Sequence, residues 1–154
     1  MKKSILFIAF LSWSFLTLAK EPLLPYEAGQ FSSIIKKYPH QQLMVHFWGT
    51  TCAPCLTELP AWGKFLKAEK NIKVIFVQVD NASESMIRQR IRIANIEKFE
   101  HYYLASNFDE FIYYEVDRHW HGEIPMTILI NKDGSRQKIL GSVDFKEIKK
   151  WISM

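Results

Sequence analysis

The sequence predicts one α/β domain in which a central mixed sheet is flanked by helices. Three observations lead there. The chain has 154 residues, enough for one compact domain and short for two. Apolar segments of strand character alternate with amphipathic ones, and the chain closes with a hairpin and a last helix. A Cys52-Ala53-Pro54-Cys55 motif stands just after a strand, where a helix begins.

The elements follow in order. Residues 30–38 predict a short helix stopped by Pro39, with Phe31, Ile34 and Ile35 on one side. Residues 43–48 are apolar at nearly every position, as a strand covered on both faces should be. A helix starts at the cysteine motif and runs to about Glu69, turning Leu56, Leu59, Trp62, Phe65 and Leu66 inward. Pro60 inside it is expected to produce a kink. Residues 72–79 form a second apolar strand, and Ser83 caps a helix reaching about Ala94. A short strand at 102–104 and a helix at 108–116 come next. Strands at 124–130 and 137–140 are joined by Asn131-Lys132-Asp133-Gly134, a hairpin turn signal. Residues 144–152 close the chain as an amphipathic helix.

Composition narrows the function classes. With 48% hydrophobic and 14% aromatic residues, the chain can bury a real core, which excludes a disordered protein. Its 20 basic and 16 acidic residues give a formal charge of +4, but Lys2 and Lys3 belong to an apparent export signal. Without them 18 basic residues face 16 acidic ones, a balance that does not call for nucleic acid or an anionic membrane. The signal consists of those lysines and an apolar run over residues 5–19, interrupted only by Ser12, Ser14 and Thr17. Thr17 and Ala19 fit the small-residue positions of a cleavage site, so residues 1–19 read as a signal peptide and 20–154 as the domain. The run is shorter than the ~20 residues of a spanning helix. Cleavage is therefore favoured over an uncleaved N-terminal anchor, and both place the domain in the periplasm or otherwise outside the cytoplasm. A monomer is expected.

Only two cysteines are present. Their short loop restrains the unfolded chain little, so scaffolding is a poor reason for the pair. Redox exchange and metal binding are the better ones. In exchange the attacking species is a thiolate, and free amides at a helix N-terminus favour it. Cys52 is placed to attack, and Cys55, one turn inside, to resolve the mixed disulfide. Pro54 fixes its own φ and shapes the turn.

Three stretches carry a family resemblance. Val45-His46-Phe47-Trp48-Gly49-Thr50-Thr51-Cys52-Ala53-Pro54-Cys55 resembles the thioredoxin signature of a strand, an aromatic pair and CxPC. Cys55-Leu56-Thr57-Glu58-Leu59-Pro60 resembles the continuation found in the TlpA/ResA-like family of exported thioredoxin-fold thiol–disulfide oxidoreductases. Gly122-Glu123-Ile124-Pro125-Met126-Thr127-Ile128-Leu129-Ile130 resembles that family's cis-proline strand.

The resemblance implies a thioredoxin-like fold and a protein-disulfide reductase that needs no cofactor. It implies disulfide-bearing protein substrates and a membrane thiol reductant as electron donor. A disulfide-forming oxidant of the same fold is the alternative. Pro125 would be cis and catalytic, with the backbone of Ile124 binding substrate; Trp48 is a further substrate-binding candidate or a core residue. Glu58 matches a family carboxylate linked to thiol acidity, or simply suits an early helical turn. His46 stands where relatives carry an acid or amide that handles the second cysteine's proton. It is either that proton acceptor or a buried histidine satisfied by backbone. A copper carrier is a further alternative, with Cys52 and Cys55 joined by His119 and His121, but a solvated loop is the favoured reading of those histidines.

Overall fold

The computed structural model describes residues 22–69 and 72–154. The expected export segment, residues 1–19, lies outside them. Six strands form one mixed sheet in the order β1-β4-β3-β2-β5-β6. They are β1 (Leu23–Tyr26), β2 (Leu43–Trp48), β3 (Lys73–Gln78), β4 (Glu100–Leu104), β5 (Met126–Ile130) and β6 (Arg136–Leu140). Five helices flank the sheet among the described residues: α1 (Gln30–Lys37), α2 (Ala53–Ala68), α3 (Glu84–Ala94), α4 (Glu110–Val116) and α5 (Phe145–Ile152). β2 pairs in parallel with β3 and antiparallel with β5, which makes it central.

The pleat of β2 distributes its side chains between two cores. Leu43, Val45 and Phe47 join Phe31, Ile34, Ile112 and Trp120 on one face. Met44 and Trp48 join Cys55, Leu59, Trp62, Ile148 and Trp151 on the other. α2 and α3 press together on this second face: a Cβ at Gly63 would stand 1.8 Å from the Ala94 carbonyl oxygen. Only glycine allows that approach. α2 continues through Pro60 to Ala68 as one helix.

The predicted strands and helices are present; α4 starts at Glu110 rather than 108, with Asp109 as its N-cap, and the strands differ in three places. β1 has no counterpart in the sequence reading: it is four residues long, contains Pro25 and pairs only with β4 at the sheet edge. β4 starts at Glu100 rather than 102, its first residues paired with Ile75 and Phe76. β5 begins at Met126 rather than 124, because Pro125 has no N–H for the ladder. The hairpin turn is as expected, with Gly134 at φ 85° and its N–H on the Asn131 carbonyl. Among the described residues no helix is long and apolar enough to cross a membrane.

Candidate active site

β2 ends at Trp48, and Gly49-Thr50-Thr51 leads straight to Cys52, the N-cap of α2. Cys52 is extended, while Ala53 and Pro54 open the helix, where a proline's missing N–H costs nothing. Cys52 and Cys55 form a disulfide. Cys55 is fully buried and Cys52 half-buried, so only Cys52 is open to a partner. The Cys55 N–H donates to Cys52 Sγ at 3.3 Å. This is the free amide of a helix N-terminus aimed at the sulfur, and it favours a thiolate there once the bond is reduced.

The start of β5 comes to the same place. The Ile124–Pro125 bond is cis, Pro125 is buried, and the Ile124 carbonyl oxygen lies 3.7 Å from Cys52 Sγ. The Pro125 carbonyl accepts from the Gly141 N–H at 2.8 Å, fixing this bend to the end of β6. The loop before Cys52 is bound from the other side by Asp80. That carboxylate accepts the Thr50 N–H at 2.8 Å and hydroxyl at 2.9 Å, and the Thr51 N–H and hydroxyl each at 2.9 Å. The Gln78 side-chain amide also donates to it. Burial alone would raise the Asp80 carboxyl, but these hydrogen bonds outweigh it and hold the group below its ordinary value.

Beneath the disulfide lie Glu58, Trp48 and His46. Glu58 is 5% exposed; its Oε1 accepts the Val143 N–H at 2.9 Å, while Oε2 has no hydrogen-bond partner among the described residues. Burial pushes its carboxyl above the ordinary carboxylate range, against the Val143 hydrogen bond. His46 is fully buried, its ring 5.2 Å from that of Trp62 and 5.8 Å from that of Phe76. Its Nδ1 shares a 2.9 Å hydrogen bond with Thr127 Oγ1, so its partner is a side chain and not backbone. Burial pushes its pKa down to about 3. A ring that resists protonation so strongly is a weak acceptor for a thiol proton at neutral pH.

One expectation needs correction, and one alternative falls away. Trp48, a substrate-binding candidate, is 1% exposed and packs in the core that holds Cys55, so a docking protein does not reach it. The copper set does not assemble: among the described residues no three His, Cys, Asp or Glu side chains converge as a metal site. His119 and His121 are exposed, while Trp120 between them is buried with its indole N–H on the Glu123 carbonyl. Asp80 was missed by the sequence reading. Its one signal was position, a carboxylate at the carboxyl end of the strand beside the cysteine-bearing one.

These features match a known family. The thioredoxin family model matches residues 23–119, well over half the chain. The chain belongs to the thioredoxin family. With both cysteines present and joined, it is a thioredoxin-fold thiol–disulfide oxidoreductase. Solved structures similar to it include StoA from Bacillus subtilis, 24% identical with a TM-score of 0.55 over 73% of this chain and 83% of that one. A thioredoxin-related protein from Neisseria meningitidis serogroup B is 25% identical, with a TM-score of 0.59 over 73% and 82%. A secreted Mycobacterium tuberculosis disulfide oxidoreductase is 13% identical, with a TM-score of 0.60 over 77% and 84%. Such neighbours are thioredoxin-like proteins of the TlpA/ResA type. No curated protein matches the sequence significantly.

Proposed function

We propose that this oxidoreductase reduces protein disulfides outside the cytoplasm and is itself recharged by a membrane thiol donor. The observation that carries the reading is the half-buried Cys52 sulfur, set between the Cys55 amide and the Ile124 carbonyl. The lysine-led apolar run of residues 5–19 supports the location, and the Glu58 motif of the TlpA/ResA type supports the direction.

The reduced pair works in two exchanges. The Cys52 thiolate attacks one sulfur of a substrate disulfide, forming a mixed disulfide and releasing the other sulfur as a thiolate that takes up a proton. An extended substrate segment pairs with the Ile124 backbone, which the bend at Pro125 leaves free. Cys55 then loses its proton and attacks Cys52 Sγ, restoring the Cys52–Cys55 disulfide and freeing the second substrate thiolate. Glu58, on the same face of α2 one turn beyond Cys55, receives the proton of Cys55. The donor dithiol returns two electrons and two protons by the same exchange.

Trapping tests the roles. Cys55→Ser should accumulate mixed disulfides through Cys52, and Cys52→Ser should not; equal trapping by both overturns the assignment. Reduction potential tests the direction. A value at or below about −200 mV is expected, and one near the about −120 mV of a strong oxidant would reverse it.

A further inference from the structure

Gly49-Thr50-Thr51 is held from two sides. On one, Asp80 takes both amides and both hydroxyls of Thr50 and Thr51. On the other lies Ile124: a Cβ at Gly49 would stand 2.8 Å from Ile124 Cδ1 and 3.1 Å from Asp80 Oδ2. Val79 N–H, just before Asp80, donates to the Trp48 carbonyl at 2.9 Å, so both ends of this clamp grow from the paired ends of β2 and β3. The loop is thereby fixed immediately before Cys52, whose sulfur lies 3.7 Å from the Ile124 carbonyl oxygen. Five donors converge on the carboxylate, the Gln78 amide among them, and they need both of its oxygens; an amide side chain has one acceptor oxygen.

We propose that Asp80 is a positioning residue for Cys52, clamping the loop through Thr50 and Thr51 and opposing the Cys52 thiolate with its fixed negative charge. The inference rests on the oxidoreductase reading. The carboxylate stands one residue from the nucleophile through the Thr51 contacts, and a like charge at short range disfavours a second anion. Its removal therefore stabilises the reduced pair and makes the protein more oxidising, while loss of the clamp separates Cys52 from the substrate strand.

The experiment uses the full chain with Asp80→Asn, Asp80→Ala and Thr51→Val. Each is equilibrated with glutathione redox buffer and assayed for insulin reduction with dithiothreitol as donor. Asp80→Asn should shift the equilibrium with glutathione at least threefold toward the reduced protein. Asp80→Ala should shift it up to tenfold, about 30 mV for a two-electron couple, and also lose at least tenfold in kcat/KM, mostly through kcat. Thr51→Val keeps the charge, so it should lower kcat with the equilibrium unmoved. If Asp80→Ala fails to fold, the other two variants decide. Equilibria within twofold of wild type for both Asp80 variants overturn the proposal. A wild-type chain that neither equilibrates with glutathione nor reduces insulin overturns the oxidoreductase reading itself.

Discussion

Above the disulfide, the loop bearing Cys52 meets the carboxylate of Asp80, and its amides and hydroxyls find partners. Below it, the core around Cys55 keeps buried polar atoms without partners among the described residues: Glu58 Oε2, Trp48 Nε1, Trp62 Nε1 and His46 Nε2. The two sides therefore control their cysteines by different means. Geometry, fixed by hydrogen bonds, places the Cys52 sulfur. Burial, which perturbs ionisation, governs the groups around Cys55. Each side can be broken separately.

The largest effect belongs to the buried side. His46 and His101 flank Phe76 on neighbouring strands, and burial depresses their pKa values to about 3 and about 4. Above the unfolded value of about 6.5 both states are neutral and nothing is lost. As pH falls below it, the unfolded chain binds protons that the folded one refuses, so stability drops. Each histidine then removes about 1.4 kcal/mol per pH unit, His101 down to its folded value and His46 further. Urea denaturation of the oxidised protein between pH 7 and 4 should show this slope, and His46→Asn should roughly halve the histidine share. An unchanged slope in that variant would mean the ring is not held neutral.

Gly49→Ala attacks the upper side. The new methyl meets Ile124 Cδ1 at 2.8 Å and Asp80 Oδ2 at 3.1 Å, so either the Ile124 side chain or the Asp80 clamp must give way. Overpacking of this kind costs roughly 1–3 kcal/mol. Because both movable parts belong to the site, insulin reduction should fall at least tenfold while potential and stability change less. A fall in stability with normal turnover would show that the clamp tolerates displacement.

Glu58→Gln tests the lower side by kinetics. The amide oxygen can still accept the Val143 N–H, but the group no longer ionises. Release of substrate from the mixed disulfide should slow about tenfold, about 1.4 kcal/mol in the barrier. Formation of that mixed disulfide should hold its wild-type rate. In wild type, the release rate should rise with pH through a carboxyl titration lying above the ordinary glutamate value and flatten once the carboxylate is formed. Absence of that titration would remove Glu58 from the proton path.

How much of this was legible in the sequence follows the same division. The strand-and-helix order and the Cys52–Cys55 pair were readable, because each is written in adjacent residues; Pro125 was placed beside them only by the family resemblance. β1 was not, since four residues with Pro25 acquire strand identity only by pairing with β4. Asp80 was not, because its partners Thr50 and Thr51 stand 30 and 29 residues away and meet it only where β2 and β3 end side by side. Trp48 was ambiguous for a related reason. The pleat, not the residue type, decides that it faces the Cys55 core.

The smallest expected effect separates the two meanings of His46. Thr127→Val keeps the side-chain shape and removes the hydroxyl that meets Nδ1. Both ring nitrogens are then without a partner among the described residues in a fully buried position, since Nε2 already lacks one there. Leaving a buried polar group unpaired costs about 1 kcal/mol or somewhat more, and denaturant unfolding should read that loss. Because Thr127 lies two residues beyond Pro125, the hydrogen bond ties the substrate strand to β2, and a modest rise in KM should accompany the change. A structural tie gives that pattern with kcat intact. A tenfold fall in kcat, without matching loss of stability, would instead make the ring part of the route by which Cys55 loses its proton.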